Sequence, residues 1–202
     1  MRAASANTCV MEETIVPVIY GSVRAHRQGI KAARFIVREF ERRNIRAVLV
    51  DPLEHRLPLL DRMYKEYPRG EAPPVLEELA QLFRSADGFV IVSGEYNHTI
   101  PPALSNLLDH FLEEYFWRPA GIVCYSGGRF GGVRAAMTLR IMLAELGMVT
   151  TPSLLPFPTV QNAFTNDGVP CDPAIPEKSE DFFTEFLWYV HALREARRSG
   201  VP

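Results

Sequence analysis

The sequence predicts an α/β fold in which helices cover both faces of a doubly wound, five-stranded parallel sheet. Short apolar runs alternate with longer segments of helical periodicity along the 202 residues, and this alternation is typical of βαβ crossovers. The run at residues 89–92, Phe-Val-Ile-Val, is apolar throughout, as expected of a strand covered on both faces. Polar or glycine-rich loops follow three of the runs. In such sheets, ligands bind beyond the carboxyl ends of the strands.

Strands are predicted from short apolar runs that end at turn residues. Their expected limits are residues 15–20, 45–50, 89–92, 121–125 and 148–155. Helices are predicted where apolar residues recur every three or four positions. Their expected limits are residues 28–44, 74–85, 101–115, 133–146 and 177–198. This succession of elements favours a flavodoxin-like strand order.

Two segments lack periodicity and contain prolines. We expect residues 57–74 to form a lid or a subunit contact, because long irregular loops in compact domains are usually functional or mobile. Residues 156–176 are expected to be irregular as well, with a turn at Asn166-Asp167-Gly168.

Composition narrows the class of protein. The chain is 47% apolar with a net charge of −2, which gives no reason to expect a nucleic acid or an anionic membrane as partner. Charged residues interrupt every apolar run before it reaches a membrane-spanning length. Three cysteines at unrelated spacings argue against a disulfide framework or a zinc site and indicate a cytoplasmic protein. We expect residues 1–13 to be a disordered leader and residues 14–202 to form a single domain.

The loop after the first predicted strand carries groups that suit a phosphate. Gly21, Ser22 and Arg24 lie just before a predicted helix, where unpaired backbone N–H groups and the helix dipole favour an anion. Arg24 or Arg27 adds a planar set of donors that suits phosphate oxygens. The alternative is an ordinary strand-to-helix turn with solvated arginines.

Two further loops provide groups for a flat ligand. Residues 93–98, Ser-Gly-Glu-Tyr-Asn-His, place an acceptor, a ring and an amide directly after a buried strand. A planar heteroaromatic ligand needs hydrogen bonds along its polar edge and cover on one face. The glycines within residues 126–132 let the backbone approach such a ring closely. A phosphate site beside a flat polar ring describes flavin mononucleotide (FMN).

These motifs resemble the NADPH-dependent FMN reductases, a family that includes quinone, chromate and azo-dye reductases. The matching residues are Gly21-Ser22-Val23-Arg24, Glu95-Tyr96-Asn97, residues 100–104 with Asn106 and Asp109, and Ser126-Gly127-Gly128 with Gly131-Gly132. They extend from residue 15 to residue 149 in the order and spacing of the family.

The resemblance implies a set of cofactor contacts. The residues implied to hold the FMN phosphate are Ser22, Arg24, Arg27, Gln28, Gly29 and Ile30. Those implied to line the isoalloxazine ring, largely through backbone atoms, are Glu95, Tyr96, Asn97 and His98. Those implied to approach its other edge are Ser126, Gly127 and Gly128, and Phe130 completes the set. Tyr96, Phe130 and the tyrosines of residues 57–74 are also candidates for the substrate pocket, with simple hydrophobic packing as the alternative.

The chain departs from the family pattern at three positions. Gly94 and Ser105 stand where the family often has Pro and Lys. Arg27 stands where many members carry a second Ser in the phosphate loop. The missing hydroxyl removes one phosphate hydrogen bond, which Arg27 or Gln28 could replace.

The resemblance implies an FMN-dependent oxidoreductase with a ping-pong mechanism. NADPH or NADH would transfer a hydride to flavin N5, and a small acceptor (free flavin, quinone, azo dye or metal oxyanion) would then be reduced. Because the cofactor carries the chemistry, no catalytic acid or base is predicted. The rival hypotheses are a flavodoxin-type electron carrier, which is usually strongly acidic, and a binding or sensor module for another phosphate ligand.

Members of this family commonly form dimers or tetramers, so we expect a homodimer or a homotetramer. The predicted helix at residues 101–115 has more apolar positions than one core face requires, and we expect it to lie at a subunit contact. Cys124 could be a redox thiol beside the flavin, although a small buried core residue is the alternative.

Overall fold

The structure, a computed structural model, describes residues 13–202. Of the predicted leader, residues 1–13, only Glu13 belongs to this range, so the prediction of disorder there lies outside the described residues.

Five parallel strands form one sheet, which confirms the predicted fold class. The strands are β1 (Ile15–Tyr20), β2 (Arg46–Val50), β3 (Phe89–Gly94), β4 (Pro119–Tyr125) and β5 (Val149–Phe157). Their order in the sheet is β2-β1-β3-β4-β5, which is the flavodoxin-like order with its switch point between β1 and β3. β3 and β4 are buried along their whole length, as continuous apolar runs predict.

The helices lie on both faces of the sheet. They are α1 (Ile30–Glu41), α2 (Pro74–Ser85), α3 (Pro102–Asp109), α4 (Val133–Glu145), α5 (Val160–Ala163) and α6 (Ala174–Ser199). α1, α5 and α6 pack on one face, and α2, α3 and α4 pack on the other. None of the helices within residues 13–202 has the length and apolarity that a bilayer crossing requires.

Aromatic rings fill the core on each face of the sheet. On the side of α2, the ring of Phe83 contacts those of Phe89, Phe111 and Tyr115 at centroid distances of 5.0–5.5 Å. The core on the other face contains the rings of Phe35, Phe40, Phe182, Phe183 and Phe186. Such edge-to-face and tilted contacts add to the free energy gained by burying apolar area.

Two strand limits were predicted wrongly because a proline lies at or near each of them. The end of β5 was predicted at residue 155, yet the strand continues to Phe157. β5 is one of the two edge strands of the sheet. At an edge, Pro156 removes an N–H that no neighbouring strand requires. β4 begins at Pro119 rather than Gly121, because the first residue of a strand also tolerates proline.

Three helices differ from their predicted limits by more than one residue. α1 spans Ile30–Glu41 rather than residues 28–44. α3 ends at Asp109 rather than Tyr115, where the Nδ1 atom of His110 lies 2.6 Å from the carbonyl oxygen of Asn106. Such side-chain bonds to the backbone compete with the helical pattern. α6 begins at Ala174, three residues before its predicted start, because Pro176 falls in the first turn, where a helix does not need the missing N–H.

The irregular segment at residues 57–74 is fixed to α3. The Asn106 side chain accepts a hydrogen bond from the Leu60 N–H (2.9 Å) and donates one to the Pro58 carbonyl oxygen (2.8 Å). One 3₁₀ turn, Tyr64–Glu66, lies within the segment. The role of this segment as a lid or a subunit contact stays a prediction.

The apolar residues of α3 are buried inside this chain. Leu104, Leu107, Leu108 and the following Phe111 are at most 1% exposed. The argument that α3 carries surplus apolar positions for a subunit contact is therefore wrong. The oligomeric state itself stays a prediction.

We expect the substitution Phe83→Ala to lower the free energy of unfolding by about 3–5 kcal/mol, because it removes a buried ring and leaves a cavity. Chemical denaturation of the purified chain measures this change. The control is Trp188→Ala on α6, whose side chain is 64% exposed, with an expected effect of at most about 0.5 kcal/mol. Equal losses in the two variants would contradict the assignment of Phe83 to the core.

Candidate functional site

A cleft opens at the carboxyl edge of the sheet, where the loops after β1, β3 and β4 meet. The predicted site residues that line it are Ser22, Arg24, Arg27, Gln28, Glu95, Tyr96, Ser126 and Gly127. The guanidinium carbon of Arg24 lies 5.9 Å from the centre of the Tyr96 ring, so the first and second of these loops are in contact. The predicted residues outside this lining are Gly29, Ile30, Asn97, His98, Gly128 and Phe130.

The loop after β1 presents hydrogen-bond donors to the cleft. It is anchored by the Gly21 N–H, which donates to the Val92 carbonyl oxygen of β3 (3.1 Å). No side chain caps the start of α1, and the N–H groups of Gly29 and Ile30 have no hydrogen-bond partner among residues 13–202. Arg24 forms no ion pair with any described residue. Free N–H groups, a helix N-terminus and a cation together favour an anion.

Arg27, one of two residues predicted as possible replacements for the missing phosphate-loop hydroxyl, is paired with an acidic side chain. Its two terminal nitrogens donate to the two oxygens of Asp51 at 2.5 Å each, and Asp51 is buried at the end of β2. Burial alone would lower the pKa of Arg27, but the hydrogen bonds and charge of Asp51 raise it. The same guanidinium also donates to the Ser22 carbonyl oxygen (3.1 Å). Arg27 therefore holds the shape of the loop, and its charge is already neutralised.

The other predicted phosphate-loop residues differ in position. Gln28 lines the cleft, and its amide donates to the His26 carbonyl oxygen (3.3 Å). Gly29 is the N-cap of α1, and a Cβ atom built there would lie 2.0 Å from the Tyr125 ring. Ile30 is the first residue of α1 and is buried in the core. Gly29 and Ile30 can therefore offer a ligand only their backbone N–H groups.

Glu95 ties the loop after β3 to the start of α4. Its carboxylate accepts hydrogen bonds from the Arg134 guanidinium (3.1 Å), the Arg134 N–H (3.1 Å) and the Ala135 N–H (3.4 Å). Burial alone would raise the pKa of this carboxyl group, but these hydrogen bonds outweigh it and the pKa is lowered. The carboxylate therefore caps α4.

Asn97 and His98 form the tip of a tight turn. The N–H and carbonyl groups of Tyr96 and Thr99 bond each other at 2.9 and 3.0 Å, and both tip residues have positive φ, 52° and 65°. Positive φ at both central positions is the geometry of a type I′ turn. Tyr96 lines the cleft. Asn97 and His98 are exposed and are not among its lining residues.

The glycine-rich loop contributes to the cleft at its beginning. Ser126 and Gly127 line it, while a Cβ atom built at Gly128 would meet nothing within 4 Å. Phe130 is 47% exposed, and its ring lies 4.3 Å from the Arg134 guanidinium and 4.8 Å from that of Arg129. Phe130 is not among the residues that line the cleft, and its role toward a cofactor or substrate stays a prediction.

Several lining residues were missed by the sequence analysis. They are His26, Gly94, Tyr125, Val160 and Gln161. Val160 and Gln161 begin the short helix after β5, at the same edge of the sheet as the three loops. The rule that parallel strands share a carboxyl edge could have located this segment, but its prolines suggested a structureless loop.

Two pairs of hydroxyl groups are hydrogen-bonded at or beside the cleft. The Tyr125 hydroxyl donates to that of Tyr20 (3.2 Å), and the hydroxyl oxygens of Ser22 and Tyr96 are 2.8 Å apart. Burial raises the pKa of both Tyr20 and Tyr125, so both remain protonated donors near neutral pH.

Cys124 is a core residue rather than a redox thiol. Its side chain is fully buried in β4, and burial raises its pKa to about 12. Since the thiolate is the reactive form, a thiol with this pKa remains protonated near neutral pH.

We expect Glu95→Gln to lower the free energy of unfolding at pH 7 by about 1–3 kcal/mol, because a hydrogen-bonded carboxylate is lost. The pKa of Glu95 is lower in the folded state than its ordinary value of 4.5, so this advantage is present above pH 4.5 and disappears as the pH falls through the lowered pKa. Denaturation curves across this range measure it. The exposed Glu71→Gln is the control, and a difference that stayed constant at low pH would contradict the assignment.

Comparison with known proteins places the chain in a family. A sequence model described as NADPH-dependent FMN reductase matches residues 15–161. The NADPH azoreductase of Bacillus sp. (strain OY1-2) is 28% identical over 182 residues, which cover 90% of this chain and 95% of that protein. The probable NADPH:quinone oxidoreductase 1 of Oryza sativa subsp. japonica is 33% identical over 163 residues, 76% of this chain and 78% of that protein.

Among solved structures, the chain is similar to FerB, a flavoenzyme NAD(P)H:(acceptor) oxidoreductase from Paracoccus denitrificans. The TM-score is 0.67 at 20% identity, over 90% of this chain and 98% of that chain, and this likeness supports the fold alone. The family match, in contrast, spans all three loops that form the cleft and reaches Gln161 at its far wall. The chain therefore belongs to the NADPH-dependent FMN reductase family.

Proposed function

We propose that this protein binds FMN in the cleft and uses NADPH or NADH to reduce a small-molecule acceptor. The observation that carries the proposal is the meeting of an anion-binding loop with a backbone-lined surface at the switch point of the sheet. Open α/β sheets bind nucleotides at this place.

The donors on the first loop fit a phosphate monoester. Ser22 supplies a hydroxyl, Arg24 supplies a guanidinium with no ion pair within residues 13–202, and the uncapped start of α1 supplies N–H groups. Arg27 contributes indirectly, since its pairing with Asp51 fixes the loop. The set is cationic and rich in donors, as a dianionic group requires.

The second and third loops fit a flat polar ring. The N–H groups of Glu95 and Tyr96 already donate to the Tyr125 and Thr99 carbonyl oxygens. The N–H groups of Gly127 and Gly128 have no hydrogen-bond partner among the described residues, and a Cβ atom built at Gly128 would meet nothing within 4 Å. We therefore assign the edge contacts of the ring to these glycines.

When bound, FMN supplies the redox chemistry, in which a hydride from the nicotinamide reaches flavin N5 and the electrons pass to the acceptor. The chain contributes orientation. It holds the phosphate at the loop after β1, presents backbone donors at residues 127–128 and leaves one side of the cleft open to solvent. Two substrates that use the same open side in turn give a ping-pong scheme. No side chain has to gain or lose a proton in the first half of the cycle.

The relatives support small aromatic acceptors. Their names describe an azoreductase and a quinone oxidoreductase, and we propose azo compounds and quinones as the acceptor classes to test first. We also propose that residues 14–202 form a single FMN-binding domain of a cytoplasmic homodimer or homotetramer. In such an assembly the exposed Met137 and Ile141 of α4, rather than the leucines of α3, are apolar positions that a second copy would cover.

Flavin reduction tests the proposed function directly. The protein is loaded with FMN, desalted and mixed anaerobically with NADPH or NADH while the absorbance of oxidised flavin is followed. We expect rapid bleaching, and recovery of the absorbance when quinone or azo dye is added. A chain that bound FMN but was reduced by neither nucleotide would instead be an electron carrier, and one that took up no FMN would be a binding module for another phosphate ligand.

We expect Arg24→Ala to weaken FMN binding by about 10- to 100-fold, because it removes a charged donor from the phosphate site. Flavin fluorescence quenching measures the dissociation constant. The matched control is Arg42→Ala at the far end of α1, where the Arg42 side chain is 70% exposed. A comparable loss in the control would show that overall charge, rather than a phosphate contact, governs binding.

A further inference from the structure

We propose that the Tyr125 ring is a spacer that fixes the start of α1 against the loop after β3 and thereby positions the groups that hold FMN. The inference rests on the proposed function and assigns a positioning role to a residue outside the motifs that match the family. Tyr125 is the last residue of β4 and lines the cleft, although it is 7% exposed.

The ring occupies the space that a side chain at Gly29 would need. A Cβ atom built at Gly29 would lie 2.0–2.4 Å from the Cζ, Cε1 and Cε2 atoms of Tyr125, far inside van der Waals contact. The backbone at this N-cap does not require glycine, since its φ of −67° and ψ of −16° are open to every L-residue. The space taken by the ring, rather than the backbone conformation, therefore excludes a side chain here.

The same ring limits the residue at Gly94. A Cβ atom built there would lie 2.9 Å from the Cζ atom and 3.0 Å from the hydroxyl oxygen of Tyr125. Gly94 is the last residue of β3, and its φ lies outside the left-handed region, so the backbone does not require glycine here either. The proline that the family often has at this position would place its ring against that of Tyr125. One ring thus accounts for a glycine on each of two loops.

Neighbouring groups hold the spacer in place. Its ring stacks on that of Tyr20 with centroids 6.2 Å apart and an interplanar angle of 24°, and its hydroxyl donates to the Tyr20 oxygen (3.2 Å). The Arg27 guanidinium lies 5.3 Å from the centre of the Tyr20 ring and is bound to Asp51. Because close-packed side chains transmit a displacement to their neighbours, a side chain added at Gly29 would displace the start of α1.

The spacer also keeps the first turn of α1 available to a ligand. A polar side chain at an N-cap usually accepts a hydrogen bond from an N–H of the first turn. Such a side chain at Gly29 would compete with a phosphate for these donors. The Tyr125 ring leaves no room for it, and no side chain caps α1. Donors held in advance in their binding position lose less freedom when a ligand binds.

A double-mutant cycle tests the spacer, because two residues in contact show non-additive effects. Gly29→Ala adds the atom that would meet the ring, and Tyr125→Leu removes the ring atoms that it would meet. Tyr125→Phe keeps the ring. FMN dissociation constants of the single and double variants are measured by flavin fluorescence. The matched control is Tyr115→Leu, the same change at a fully buried tyrosine on the other face of the sheet.

We expect Gly29→Ala to weaken FMN binding by more than about tenfold by itself, and by less than about twofold when Tyr125→Leu is present. Tyr125→Leu by itself should weaken binding by about five- to tenfold, because the start of α1 loses its spacer. Tyr125→Phe should change it by less than about twofold. Tyr115→Leu should lower the free energy of unfolding and leave the dissociation constant unchanged.

Four results would overturn the spacer: an equal loss from Gly29→Ala in both backgrounds, unchanged binding in Tyr125→Leu, or a loss in either Tyr125→Phe or Tyr115→Leu as large as that in Tyr125→Leu. If Gly29→Ala does not fold by itself, folding of the double variant supports the inference, and its failure to fold contradicts it. The unaltered chain is titrated alongside. If it binds FMN while the spacer fails, the proposed function stands.

Discussion

The parallel alignment of β1, β3 and β4 is the constraint on which the candidate site depends. Parallel neighbours bring their carboxyl ends to one edge, and the reversal of winding between β1 and β3 separates the helices that follow them. The loops at residues 21–29, 94–99 and 126–132 therefore meet, although residues 30–125 separate the first from the third. β3 and β4, which carry two of these loops, are buried along their whole length.

Charge at this edge is arranged so that Arg24 remains available to an anion. The side chains of Arg27 and Asp51 neutralise each other, as do those of Arg134 and Glu95. Each pair joins a loop to a neighbouring element: the first holds the loop after β1 against the end of β2, and the second holds the loop after β3 against α4. Arg24 has no such partner among the described residues. The paired arginines thus shape the cleft, and Arg24 supplies its charge.

Two of the three departures from the family pattern are matched by residues packed beside them. Arg27 takes the place of a hydroxyl but turns to the buried Asp51. Gly94 takes the place of a larger residue, and the Tyr125 ring fills the space beside it.

The sequence by itself determined the fold class, the number of strands and the three loops, because alternation of apolar runs and turn residues records which segments are buried between helices. It also determined Ser22, Arg24, Tyr96 and Gly127 as cleft residues. Tertiary structure alone decided that Arg27 pairs with Asp51, that Phe130 packs on Arg134 and that Tyr125 lines the cleft. These outcomes depend on contacts between residues far apart in the chain. The local sequence pattern does not predict such contacts, because it indicates how buried a residue is but not which residues it contacts.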